Sequence, residues 1–197
     1  MLYPNLTSKR IILASKSPRR LELVRGLELE PEVLVRDVDE SYPLSLMGPE
    51  VAEFVTRAKA AAFTDMLGLN DVIITGDTVV LLDNEILEKP SNFEEAALML
   101  RKLSGRTHVV ASGIAVTTLR GGKPETSCEV DTCEVTFEEL TDDMISHYID
   151  SYKPFDKAGS YGVQDLIGFI GVSSINGSFY TVMGLPVHIL HKMLQEV

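Results

Sequence analysis

Arg10-Ile11-Ile12-Leu13-Ala14-Ser15-Lys16-Ser17-Pro18-Arg19-Arg20 is the stretch that decides the fold. Its first half is apolar and β-branched, as in a short buried strand, and it stops at two serines and three cations. Leu21, Leu23, Val24 and Leu27 then recur at helical spacing, so a strand runs directly into a helix. Ser17 has the chemistry of an N-cap, and Pro18 suits the first helical position, where its missing N–H costs nothing. The first amides of that helix point unpaired into the loop and add the positive end of the macrodipole to Lys16, Arg19 and Arg20. Two readings fit the stretch: an anion site, or an ordinary capped helix whose arginines lie in solvent.

The rest of the chain extends the same strand-and-helix alternation. Glu32 to Val35 reads as a second strand, and the acidic, turn-rich Asp37 to Pro49 as a loop. Pro49 to Leu67 carries an apolar stripe through Val51, Phe54, Val55, Ala58, Ala62 and Phe63, which predicts a long helix ended by Gly68. Asp71 to Leu82 reads as a strand interrupted at Gly76-Asp77, with a turn at Asp83-Asn84 before Ile86 and Leu87. A helix over Asn92 to Leu103 has Glu94 and Glu95 at its start and Arg101 and Lys102 at its end, matching its dipole. His108 to Thr118 and Thr126 to Phe137 form an antiparallel ribbon joined across Arg120 to Pro124. Thr141 caps a helix reaching Tyr152, a short strand is expected around Phe169 to Val172, and Pro186 to Leu194 closes the chain as a helix. No repeat or linker divides the sequence, so residues 1–197 are read as a single α/β domain.

Composition narrows the function. With 45% hydrophobic and 24% charged residues the chain has the balance of a globular domain with a substantial core. Eighteen Lys and Arg stand against 29 Asp and Glu, a net charge of −11 that opposes general adhesion to nucleic acid or anionic lipid. A local basic pocket is therefore the more telling feature. No apolar run approaches the roughly 20 residues that span a bilayer, and the first residues lack the apolar core of a signal peptide, so a cytoplasmic protein is expected. Cys128 and Cys133, five apart on one strand, face opposite ways and are expected to pack passively.

Three clusters carry the chemistry. The first is the Ser15 to Arg20 junction. The second is Asp77, an acid after glycine inside an apolar segment. An unpaired buried carboxylate is expensive, so Asp77 must meet a cation, several donors or a wet cleft. Lys89, at the end of the hairpin Val79 to Leu87, reads either as a lysine returned near Asp77 or as a surface charge, and Lys59, on the long helix among Ala58, Ala60, Ala61 and Ala62, as an accessible ammonium or a surface charge. The third is Tyr152 to Asp165, where Asp156 and Lys157 are adjacent and Gly159 and Gly162 permit unusual backbone around Ser160, Tyr161 and Gln164. Acids, cations and permissive backbone together suit a polyphosphate with a divalent metal, because Mg²⁺ commonly takes one or two carboxylates plus phosphate oxygens. His188 and His191 have no acid or cysteine near enough in sequence to complete a metal site, and the usual Gly-rich nucleotide loops are absent.

With these residues in order, the chain resembles the Maf family of nucleoside triphosphate pyrophosphatases along almost its whole length. The resemblance is carried by Leu13-Ala14-Ser15-x-Ser17-Pro18-Arg19-Arg20, Gly76-Asp77-Thr78-Val79-Val80, Lys89-Pro90, Leu103-Ser104-Gly105-x-x-His108, Asp156 to Gln164, Asn176-Gly177-Ser178 and Gly184-Leu185-Pro186. It implies an α/β fold with a mixed central sheet and two lobes around a deep cleft. It also implies a homodimer and metal-dependent cleavage of a nucleoside triphosphate to the monophosphate and pyrophosphate. Mg²⁺ is the first expectation for the metal and Mn²⁺ the second.

Carried over by position, Asp77 is the catalytic acid, suited to act as general base or as metal ligand, with Asp156 as the second metal carboxylate. Ser15, Lys16, Arg20, Lys59, Lys89 and Lys157 surround the phosphates. Arg19, Thr78 and Gln164 set base preference, and match the subgroup acting on dTTP and UTP. A glutamine amide offers an acceptor to the N3–H of uracil or thymine and a donor to a carbonyl, although a rotated amide also suits cytosine. Arg19, a permanent donor, favours a carbonyl at position 4. The chain departs from the common pattern at Lys153, where glutamate is frequent, at Asp165, where glycine is usual, and at Thr181, where asparagine is frequent. The alternative from another functional class is a regulator of septum formation that binds nucleotide without turning it over.

Overall fold

The computed structural model describes residues 2–83 and 85–197, so the expected turn residue Asn84 lies outside the described residues. The opening stretch runs from strand to helix as expected, with the helix start at the residue the sequence marks and the strand ending one residue earlier, at Leu13. Strand β1 (Arg10–Leu13) leads into helix α1 (Pro18–Arg25); Pro18 is the first helical residue, and the Ser17 side chain accepts a hydrogen bond from the Arg20 N–H at 3.4 Å. Such a cap is worth about 1 kcal/mol and fixes where the helix starts. The remaining elements are β2 (Glu32–Val33), α2 (Pro49–Ala61), β3 (Asp71–Leu82), β4 (Glu85–Leu87), α3 (Phe93–Leu103), β5 (Thr107–Arg120), β6 (Lys123–Phe137), α4 (Asp142–Tyr152), α5 (Leu166–Gly171), β7 (Val172–Asn176), α6 (Phe179–Met183) and α7 (Val187–Gln195).

Seven strands form one mixed sheet in the order β2-β1-β3-β5-β6-β7, with β4 pairing β3. β1 pairs in parallel with β2 and with β3, while β3–β4 and β6–β7 are antiparallel. The α/β class with a mixed sheet is thus as the sequence indicates.

The chain divides into two compact units, each assembled from separated segments: Met1–Asp77, Ser112–Asp131 and Gly184–Val197 in the first, Thr78–Ala111 and Thr132–Met183 in the second. In the first unit Ile12, Ala14, Phe63 and Ile73 form a buried cluster that Leu34, Ala62, Met66 and Leu67 pack against. Val51, Ala52, Val55 and Ala60 make the buried face of α2. In the second unit Leu100, Leu103, Ile145, Tyr148, Ile149 and Ile167 are fully buried, and His108, Phe137 and Tyr161 form a three-ring cluster with centroids 5.0 to 5.4 Å apart. Each fully buried aliphatic side chain contributes about 1.5–3 kcal/mol.

Four local expectations are corrected. The helix expected to reach Leu67 ends at Ala61, because Phe63 N–H bonds Ala60 and the Thr64 hydroxyl bonds the Ala61 carbonyl, closing the turn into a 3₁₀ segment over Thr64–Met66. β3 is not interrupted at Gly76-Asp77. Gly76 stays in the strand, and a Cβ there would lie 2.8 Å from the Gly113 carbonyl oxygen, so the glycine serves close approach of backbones. The β5–β6 ribbon is longer than expected and turns at Gly121-Gly122, whose φ values of 58° and 77° meet the positive-φ demand of a two-residue hairpin. Phe169 and Ile170 are helical rather than extended. The Asp165 carbonyl accepts from Gly168 and Phe169 and starts α5, which defers the strand to Val172.

Candidate functional site

In the first unit the β1–α1 junction gathers its polar groups around Ser15 and Arg20. Ser15 Oγ accepts from the Ser17 N–H at 3.2 Å and from an Arg20 terminal nitrogen at 3.3 Å. Both are bonds that the hydroxyl accepts, so its own proton remains the one it can give. Arg20 Nε donates to the Gly184 carbonyl at 2.9 Å, which aims the guanidinium. Burial lowers the Arg20 pKa from its ordinary value and Arg19 adds to that, while Asp77 and Glu40 pull the other way. Arg20 remains a full cation, because its ordinary pKa is so high. Lys16 stands differently: it is exposed and paired with the equally exposed Asp37 at 2.8 Å, which raises the lysine pKa and lowers that of the acid. Salt bridges of that kind contribute little.

Asp77 does meet a cation. Helix α2 buries Val55, Thr56 and Ala60, and Lys59 follows Thr56 one turn on with only 14% of its side chain exposed. Lys59 Nζ donates to Asp77 Oδ1 at 2.8 Å and lies 3.0 Å from Glu40 Oε1. One ammonium therefore holds two carboxylates. A Cβ at Gly76 would lie 3.5 Å from Arg20 Nε, which puts the glycine beside the guanidinium. Glu40 is not singled out by its sequence: it sits in an acidic loop with Asp37 and Asp39, and nothing but the fold distinguishes it from them.

In the second unit Lys157 has an analogous position. Its ammonium is 2.8 Å from Asp156 Oδ1 and 3.9 Å from Asp165 Oδ2. Asp165 Oδ2 also accepts from Tyr148 Oη at 3.0 Å, and Asp165 Oδ1 accepts from Gln164 Nε2 at 3.2 Å. Tyr148 Oη in turn accepts from the Gly162 N–H at 3.0 Å. Gln164 Oε1 is buried and has no partner among the described residues. The sequence points to Gln164 but not to Tyr148, whose spacing with Ile145 and Ile149 reads simply as core. Lys89 is exposed and follows Glu88, whose carbonyl accepts from Gly159 N–H at 3.1 Å, tying the lysine's segment to the Gly159 loop. Thr78, half-buried on β3, opens this unit directly after Asp77.

The expected site residues thus fall into two groups: Ser15, Lys16, Arg19, Arg20, Lys59 and Asp77 in the first unit, Thr78, Lys89, Asp156, Lys157 and Gln164 in the second. Asp77 and Asp156, the two expected metal carboxylates, belong to different units, and the acid beside Asp77 in its own unit is Glu40. Among the described residues no three His, Cys, Asp or Glu side chains gather as a metal cage. Two carboxylates on one ammonium nevertheless suit a hard cation that completes its shell with phosphate oxygens and water. Among the described residues no helix is long and apolar enough to cross a membrane.

A solved structure described as the Staphylococcus aureus Ham1 protein superposes with a TM-score of 0.55 over 95% of this chain and 99% of that one, at 17% identity, and so shares the fold. Proteins named dTTP/UTP pyrophosphatase are 46% identical in Bacteroides fragilis over the full length of both chains, and 46% identical in Bacteroides thetaiotaomicron over 98% of each. The family model described as Maf-like protein matches residues 10–197, from the first residue of β1 onward. Full-length identity at this level, together with that match, means that the chain belongs to the Maf family.

Proposed function

We propose that the protein is a nucleoside triphosphate pyrophosphatase acting on dTTP and UTP in the cytoplasm, releasing pyrophosphate and the nucleoside monophosphate. The observation that carries this reading is Lys59 held between Asp77 and Glu40 in the unit that also carries the capped junction with Ser15 and Arg20. The names of the full-length relatives in Bacteroides support the substrate.

Phosphoryl transfer needs positioning and charge stabilisation more than covalent help from the protein. Ser15, the first amides of α1 and Arg20 bind phosphate oxygens and draw charge toward the leaving pyrophosphate. Lys59 holds the Asp77 and Glu40 carboxylates beside one another. Asp77 Oδ1 is committed to Lys59, so Oδ2 is the oxygen that orients the attacking water or accepts its proton. A Mg²⁺ held by Asp77 and Glu40 would neutralise the substrate phosphates and lower the pKa of a bound water. In the second unit Lys157, Asp156 and Lys89 offer further charge for phosphate and metal, and Gln164 offers a buried acceptor to the N3–H of a uracil or thymine ring.

The test is pyrophosphate release from a panel of nucleoside triphosphates with and without Mg²⁺. Release from dTTP and UTP that exceeds release from purine triphosphates and needs the metal is the expected result. Binding of dTTP without release would overturn the enzymatic reading.

A further inference from the structure

We propose that Asp165 is a positioning residue for base choice, because it holds the Gln164 amide in the one orientation that favours a uracil or thymine ring over cytosine. The proposal rests on the reading above that Gln164 meets the base, and adds what makes that glutamine selective.

A primary amide has a donor end and an acceptor end, and rotation by half a turn exchanges them at little intrinsic cost. Uracil presents an N3–H donor at the place where cytosine presents an N3 lone pair, so a freely turning glutamine serves both. Here it is not free to turn. Gln164 Nε2 donates to Asp165 Oδ1 at 3.2 Å, which leaves Oε1 as the end available to a ligand, and Oε1 is buried without a partner among the described residues. The flipped amide would set Oε1 against a carboxylate oxygen, two acceptors facing each other.

The carboxylate is itself fixed. Its other oxygen accepts from Tyr148 Oη at 3.0 Å and lies 3.9 Å from Lys157 Nζ, and Tyr148 is anchored by the Gly162 N–H. Tyr148 is fully buried, so this support does not swing away. Gly162 supplies the room: a Cβ at this position would sit 2.5 Å from Asp165 Oδ2 and 2.9 Å from Gln164 Nε2, where neither side chain could remain. Selection therefore has an attractive half, Oε1 toward N3–H. Its repulsive half is a lone pair facing cytosine N3 that the enzyme cannot turn away.

UTP and CTP differ at the atoms in question and share ribose and triphosphate, so the ratio of their kcat/KM values isolates the effect. We expect Asp165→Ala to lower the UTP-to-CTP ratio by about tenfold or more, the effect of roughly one hydrogen bond of ordinary strength, mainly through KM. Asp165→Asn fills the same space and lets a donor turn toward Gln164 Oε1, so it lowers the ratio in the same direction and by less. A merely structural role would reduce turnover of both nucleotides alike and leave the ratio standing. Gln164→Ala is the control for the underlying reading. If it leaves the ratio unchanged, or if the wild type releases no pyrophosphate from either nucleotide, that reading fails and takes the proposal with it. If Gln164→Ala collapses the ratio while both Asp165 variants keep the wild-type value, the proposal alone is overturned.

Discussion

Each unit carries a half-buried lysine flanked by two carboxylates, and the two arrangements differ in a way that separates charge from orientation. Around Lys59 both acids stand within 3.0 Å of the ammonium, so the triad is a concentrated group of charges balanced against one another. Around Lys157 only Asp156 is that close, and it is exposed, whereas Asp165 at 3.9 Å spends its oxygens on a tyrosine hydroxyl and a glutamine amide. The first triad holds charges against one another. The second holds a neutral group still. A lysine and two carboxylates thus make a close charge cluster in one unit and part of a hydrogen-bonded chain to an amide in the other.

The strongest way to break this comparison is to remove charge from the first triad. Asp77→Asn keeps shape and loses the charge that Lys59 pairs with, so pyrophosphate release should fall by about 10²-fold or more, the scale of a lost catalytic acid–base or electrostatic group. Near-normal turnover with dTTP and UTP would remove Asp77 from the chemistry altogether. Glu40→Gln should cost less, about tenfold in kcat/KM, and should raise the Mg²⁺ concentration needed for half-maximal release; an unchanged metal requirement would make Glu40 a counter-ion for Lys59 and nothing more.

A milder effect sharpens the comparison from the second unit. His108 is buried, its Nε2 is 2.7 Å from Tyr161 Oη, and burial pushes its pKa down from 6.5 to about 4. The unfolded chain takes up a proton on this ring below pH 6.5, while the folded one refuses it until about pH 4. Stability from this group is therefore complete above pH 6.5 and is lost as pH falls through that window, by about 3 kcal/mol in all. Urea midpoints measured from about pH 7 to about pH 4 should fall, and His108→Gln, which keeps a partner for Tyr161, should flatten the slope. The smallest effect is expected from Lys16→Ala. Its exposed pair with Asp37 contributes little, so kcat/KM for dTTP should change by no more than a few fold. A large loss would return Lys16 to the phosphate site that its sequence position suggests.

Much of the fold and of the site is legible in the order of the residues. Ser17 and Pro18 fix the start of α1 because capping chemistry is local, and Asp77 is marked by the cost of a buried acid. What stays hidden depends on contacts between distant segments. Glu40 is one acid among several in its loop until Lys59 is seen beside it. Tyr148 occupies a core position by periodicity, and only its hydroxyl, bonded to Gly162 and Asp165, gives it a second role. The continuity of β3 through Gly76 is hidden for the same reason: the glycine answers the Gly113 backbone, which lies 37 residues away in sequence.

The hydrogen bond from Arg20 to the Gly184 carbonyl has a consequence in the order of synthesis. Gly184 follows Arg20 by 164 residues, so the anchor is synthesised long after the arginine. A nascent chain that has already made Ser15, Lys59 and Asp77 still lacks the oxygen that aims its arginine. The Ser15–Arg20 junction is therefore completed only when the segment from Gly184 onward folds back, and a chain cut after Met183 would carry Ser15, Lys59 and Asp77 with Arg20 left unaimed.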